Sequence, residues 1–233
     1  MRLPVFVTTV LVAFQPFAHA DARLASLRAE DGTILSVAVY EPSQRPSPAV
    51  ILVHMLTRSK ADWEPAAERL QEAGFLTIAV DLRGHGESAG AFDASRDLAM
   101  SLQDVQAAIA FARTRPGVIP GRIGIAGASL GASLAAMAAA ADPTVQAIAL
   151  LSPSLDYRGL RCETSLRKYG SRAALLVAAT NDPYSLRSVK QLATSGSHRE
   201  VLTLEGAGHG TVMLSRQPEL ISHLVDWFRR TLL

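Results

Sequence analysis

Gly127-Ala128-Ser129-Leu130-Gly131 lies between an apolar stretch, Arg122 to Ala128, and a run of small residues, Leu130 to Ala141. A serine with glycine two places to either side, between a buried strand and a helix, has the pattern of a nucleophile elbow. A turn that tight strains the backbone of the serine, and only small residues fit two places before and after it. The strain lifts the hydroxyl clear of the sheet at the start of a helix, whose N–H groups favour developing negative charge.

A serine hydroxyl is a weak nucleophile at neutral pH, so it needs a base, and the base needs an orienting acid. Asp182 follows the apolar stretch Ala173 to Thr180, and His209 sits in the glycine-rich Gly206-Ala207-Gly208-His209-Gly210 after Glu200 to Glu205. Both fall where strands are expected to end, on the edge that bears ligands in open α/β sheets. Asp156 is a rival acid, and Asp182 has a second reading as a turn cap before Pro183. His198 falls in a turn and His223 on a helix, with no partner implied for either. Cys162, the sole cysteine, reads as inert packing and excludes an intramolecular disulfide.

The elements that must position these residues follow from the hydrophobic pattern. Leu24 to Glu30 and Thr33 to Tyr40 flank Asp31-Gly32 and predict an antiparallel hairpin. Ala49 to Met55 is continuously apolar, as a strand covered on both faces requires. Strand and helix patterns then alternate: a helix over 61–73, a strand over 75–82, a helix over 93–113, the strand and helix around Ser129, and a strand over 145–152. A strand over 173–180, a helix over 185–194, a strand over 200–205 and a helix over 218–232 complete the βαβ rhythm. The expectation is one α/β domain over 21–233, with eight strands, mostly parallel, an antiparallel N-terminal hairpin and helices on both faces.

The order Ser129, Asp182, His209 in these contexts resembles the α/β-hydrolase superfamily over nearly all of the chain after residue 20. Val53-His54 is similar to that family's oxyanion segment, and Asp81-Leu82-Arg83-Gly84-His85-Gly86-Glu87-Ser88 to its D-x-R-G-x-G-x-S run. The resemblance implies a Ser129-His209-Asp182 triad that hydrolyses a carboxylic ester through an acyl-enzyme. It also implies an oxyanion hole made by the Leu130 N–H and by that of Leu56. Because Met55 stands where the family has glycine, the Met55 N–H is the alternative second donor. Asp81, Arg83 and His85 read as loop braces, and His54 as an orienter rather than a base. Relatives often carry a lid after the sixth strand; the short connection from Ser152 to Ala173 implies an open site. Its Arg158, Arg161, Arg167, Lys168 and Arg172 read as a solvated basic loop, with steering of a carboxylate-bearing ester as the other reading. An amidase or peptidase would use the same residues, and a non-catalytic binding module would be free to lose the triad.

With 48% apolar and 19% charged residues among 233, the chain can bury a full core without a metal or disulfide. A formal charge of +2, with 23 Lys+Arg dispersed against 21 Asp+Glu, gives nucleic-acid binding little support. No H-E-x-x-H, Cys/His cluster, G-x-G-x-x-G or phosphate-loop motif occurs, so neither a metal nor a nucleotide cofactor is expected. Arg2, the apolar Leu3 to Phe14 and Ala18-His19-Ala20 read as a signal peptide over 1–20, too short to remain as a membrane span, and imply export to periplasm or medium. The expected partner is a small-molecule or acyl-ester substrate.

Overall fold

Asp31-Gly32 reverses the chain as its residue types allow: Gly32 takes φ 89° and the Thr33 N–H donates to Asp31 Oδ1 at 3.0 Å. This turn joins β1 (Arg23–Arg28) to β2 (Ile34–Tyr40) as an antiparallel pair. The computed structural model describes residues 22–233, so the leader expected at 1–20 lies outside the described residues.

After β2 come β3 (Ser47–Val53), a 3-10 turn (Lys60–Trp63), α1 (Glu64–Glu72), β4 (Leu76–Val80), α2 (Ala94–Thr114), β5 (Val118–Ala128), α3 (Leu130–Ala141) and β6 (Val145–Leu151). Next are β7 (Asp156–Tyr157), β8 (Leu160–Arg161), α4 (Cys162–Tyr169), β9 (Ala173–Ala179), α5 (Pro183–Leu192), β10 (Arg199–Leu204), α6 (Val212–Arg216) and α7 (Glu219–Leu232). Among the described residues one eight-stranded sheet forms in the order β1-β2-β4-β3-β5-β6-β9-β10. Only β2 runs against its neighbours; the other pairings are parallel. Sequential strands step to one side of β3 at β4 and to the other at β5. The strand order therefore reverses there, and the crevice at the carboxyl ends of β3 and β5 is where open α/β sheets bind ligands.

The period-2 alternation of the strands sorts the core into two layers. Ala49, Ile51 and Val53 of β3 belong to the layer that holds residues of α2, α3, α4 and α5, while Val50 and Leu52 belong to the layer with α1, α6 and α7. β3 stops at Val53, which leaves His54 and Met55 in the loop beyond the strand rather than inside it. Pro183 occupies the first turn of α5 with Asp182 as its N-cap, so that helix begins two residues earlier than its apolar pattern indicates.

The β7–β8 hairpin and helices α4 and α6 have no counterpart among the elements that the hydrophobic pattern of the chain predicts. The two strands are dipeptides too short to show a period, and α6 has five residues. α4 does carry an apolar stripe, Cys162, Leu166 and Tyr169, at helical spacing, but inside a segment dominated by charge. It packs on α3, so the connection after β6 builds onto the body of the domain instead of forming a detached lid.

The first turn of α3 meets the sheet through backbone atoms. A Cβ on Gly127 would lie 2.2 Å from the Gly131 carbonyl oxygen, and one on Gly131 would lie 2.4 Å from the Val53 oxygen and 2.6 Å from that of His54. None of these atoms is a flexible side-chain end that can swing away. Gly131→Ala is therefore expected to push α3 off β3 and to cost about 1–3 kcal/mol or more of stability, checked by urea unfolding. A variant as stable as the wild type would contradict this contact.

Candidate active site

Ser129 is the N-cap residue of α3 and has φ 52° and ψ −109°, a left-handed backbone that side chains rarely adopt. Three hydrogen bonds keep it there: its N–H donates to the Leu151 carbonyl at 2.8 Å, and its own carbonyl accepts the Ala132 N–H at 3.0 Å and the Ser133 N–H at 3.3 Å. Its hydroxyl meets His209 Nε2 at 2.8 Å, and His209 Nδ1 meets Asp182 Oδ2 at 2.6 Å. The three side chains come from the ends of β5, β9 and β10. The His209 side chain is 48% exposed, so the site opens to solvent.

Asp182 is both a helix cap and a partner of the imidazole. Oδ1 accepts the Ser185 N–H at 3.2 Å and caps α5, while Oδ2 faces the imidazole. Burial pushes its carboxyl up, but hydrogen bonds from Ser185 and His209 outweigh that and leave it below the ordinary carboxylate range. An ionised Asp182 accepts from Nδ1–H, which leaves the lone pair of Nε2 for the Ser129 hydroxyl. The rival Asp156 is elsewhere: it accepts the Gly159 N–H at 2.7 Å and pairs with Arg161 at 3.6 Å.

Backbone N–H groups without an acceptor can be found by elimination. The Leu130 N–H opens α3 and has no intrahelical acceptor or side-chain cap. In the loop after β3 the Thr57 N–H is taken by His85 Nε2 at 3.2 Å and the Arg58 N–H by the Met55 carbonyl at 3.2 Å. Among the described residues no hydrogen bond occupies the Met55 or Leu56 N–H. The left-handed position of this loop falls on Thr57, at φ 63°, and not on Met55. The Met55 sulfur fills the space beside Gly210, where a Cβ would lie 2.4 Å from it.

The surrounding polar residues act as braces. Asp81 accepts the Lys60 N–H at 2.7 Å, Lys60 Nζ at 2.6 Å and the Glu87 N–H at 2.9 Å. Arg83 donates to the buried Asp104 at 2.6 Å and to Asp31 at 2.7 Å. His54 Nδ1 donates to the Met55 carbonyl at 2.8 Å and Nε2 accepts the Leu82 N–H at 3.0 Å, so both ring nitrogens are engaged. Cys162 is buried, and burial pushes its thiol up to about 12. In the basic connection Arg161 pairs with Asp156, Arg167 with Glu163, and Arg172 lies on the Tyr169 ring. His198 bonds the Ser171 carbonyl at the other end of β10, and His223 is exposed on α7.

Several residues outside the motifs hold the histidine loop. Asn181 donates to the Gly206 carbonyl at 3.3 Å and accepts the Gly208 N–H at 2.9 Å, and Thr180 Oγ1 accepts the Gly206 N–H at 3.1 Å. Beyond His209, the Thr211 hydroxyl donates to Asp62, which also pairs with Arg58 at 2.7 Å. The short polar pair ahead of Asp182 was a visible signal for the first two. Nothing local marks Asp62, whose partner is far along the chain.

A family model described as serine aminopeptidase, S33, matches residues 44–181, more than half of the chain. That span contains Ser129 and ends just before Asp182 and His209. A thiohydrolase of Arthrinium phaeospermum is 34% identical over 99 residues, 42% of this chain and 32% of that protein. A polyketide transferase of Stachybotrys chlorohalonatus is 32% identical over 134 residues, 56% of this chain and 44% of the other. The matches thus span less than half the length of these curated relatives. Among solved structures, an esterase of Pyrococcus furiosus has TM-score 0.78 at 16% identity over 97% of both chains. A dienelactone hydrolase of Anabaena variabilis has TM-score 0.75 at 18% identity over 92% of this chain and all of the other. At those identities the likeness is one of fold.

The His54 arrangement has a consequence for stability. Protonating Nε2 would set a donor against the Leu82 N–H, and burial, the largest influence, holds the ring down to about 4 from its ordinary 6.5. The unfolded chain binds this proton near pH 6.5 and the folded chain only near pH 4, so stability is lost as pH falls through that window. The loss from this group is expected to reach about 3 kcal/mol. His54→Gln keeps a donor and an acceptor but cannot titrate. Urea unfolding across the window should therefore show a shallower pH slope for the variant, and equal slopes would refute the assignment.

Proposed function

The chain belongs to the serine aminopeptidase, S33 family within the α/β-hydrolase superfamily, and on that footing we propose that it is a serine hydrolase that cleaves a carboxylic ester through an acyl-enzyme. The observation that carries the reading is the unbroken hydrogen-bonded run from Ser129 Oγ through His209 to Asp182, at 2.8 and 2.6 Å. Ser129 attacks the ester carbonyl as His209 Nε2 takes its proton, and Asp182 stabilises the imidazolium. The Leu130 N–H and that of Leu56 or Met55 receive the charge that develops on the carbonyl oxygen. His209 returns the proton to the leaving alcohol, which departs as the acyl-enzyme forms. Water activated by the same imidazole then releases the acid and restores Ser129.

Two neighbouring chemistries share these steps and differ in the leaving group. The family description favours an amide, and the thiohydrolase relative a thioester. A panel of one acyl group presented as aryl ester, thioester and anilide separates them, with fastest turnover expected on the oxygen ester. Faster anilide cleavage would make the enzyme an amidase.

Labelling with a fluorophosphonate probe tests the nucleophile. The wild type should be labelled at Ser129, and Ser129→Ala should lose both the label and about 10⁶-fold in kcat. Label retained by Ser129→Ala would end the proposal. Asp182→Asn tests the orienting role separately. Asparagine caps a helix as well as aspartate does, so α5 should hold. The amide reverses the preferred imidazole tautomer, with an expected loss of about 10⁴-fold in kcat. Activity close to wild type would move the acid to another residue.

A further inference from the structure

Two serines at adjacent strand ends carry left-handed backbones: Ser129 after β5 at φ 52° and Ser152 after β6 at φ 49°. The register pairs Ala128 with Leu151, which puts the two serines side by side beyond the last rung. For Ser129 the strain presents a nucleophile. Nothing in a nucleophile elbow requires it of Ser152, which is 2% exposed and anchored by its N–H to the Val177 carbonyl at 2.8 Å. Strain at a non-glycine residue persists where surrounding contacts demand it. The contact here is the Ser152 hydroxyl, which accepts the N–H of Gly210, the residue after His209, at 2.9 Å.

We propose that Ser152 is a positioning residue for His209, and that the Leu151-Ser152 step sets the distance between nucleophile and base. The proposal rests on the serine-hydrolase reading above. Leu151 holds the Ser129 N–H through its carbonyl, and Ser152 holds the loop of His209 through its hydroxyl, so one rigid strand end grips both partners of the proton transfer. The grip matters because Gly206, Gly208 and Gly210 all have positive φ, and a loop so rich in glycine has little stiffness of its own. Gly210 is buried, and the Met55 sulfur closes one side of it, so its N–H has neither water nor room to find another acceptor. Without the hydroxyl the loop must shift to satisfy that N–H, and the imidazole shifts with it.

Two substitutions separate the hydroxyl from the strain. Ser152→Gly removes the oxygen and suits the left-handed backbone; Ser152→Ala removes the oxygen and keeps the strain. With active sites counted by the end point of fluorophosphonate labelling, both should lower kcat per site on a short-chain aryl ester by about 10- to 100-fold. KM should stay within about threefold, since the loss falls on the chemical step and not on ground-state binding. Wild-type kcat per site in Ser152→Gly would overturn the proposal, as would a loss confined to KM or to the number of titratable sites. A wild-type protein that takes no label at Ser129 would instead sink the serine-hydrolase reading, and this inference with it.

Discussion

The approach of α3 to the sheet, backbone against backbone at Gly127 and Gly131, is the constraint from which the site follows. It locks the end of β5, which carries Ser129, onto the end of β3, which carries the loop with the Met55 and Leu56 N–H groups. Side-chain packing yields by rotamer changes, whereas two carbonyl oxygens pressed against a helix turn do not. The left-handed serine, its helix-start donor Leu130 and the strand-order reversal at β3 all belong to this one contact. The cost of the strained residue is spread over the hydrogen bonds that Ser129 makes to Leu151 and Ala132.

The imidazole of His209 is held in a different way. The loop of His209 has almost no apolar side chains to pack, and it is tied by polar groups of four residues from three segments: Thr180 and Asn181, Ser152, and Asp62. Such ties restrict a flexible segment without filling space, and each satisfies a backbone or hydroxyl group that would otherwise compete for a partner. Asp62 extends the bracing across the crevice, since it also pairs with Arg58 in the loop after β3. His85, through the Thr57 N–H, holds that loop from the opposite side.

Several residues combine duties that look exclusive when read one at a time. Asp182 is both helix cap and partner of the imidazole because a carboxylate has two oxygens, and the chain turn points them in different directions. Met55 reaches across to the histidine loop, and the missing side chain at Gly210 makes room for its sulfur. The bulky side chain and the glycine that accommodates it are far apart in the chain and adjacent in the fold.

Period and punctuation disclosed the strands of the main sheet, the hairpin at Asp31-Gly32 and the elbow at Ser129, because each depends on neighbours a few residues away. β7, β8 and α6 were hidden by their brevity, and α4 by the charges around its apolar stripe. Residue type and chain order also singled out Ser129, Asp182 and His209 as candidates, since a nucleophile, an acid and a base at strand ends need only local context to be noticed. Their distances, the choice of Asp182 over Asp156, the neutral state of His54 and the grip of Ser152 and Asp62 on the histidine loop could not be read that way. Each of these depends on atoms from distant segments meeting at one sheet edge, and a hydrogen bond or a burial has no value until the fold has brought both sides together.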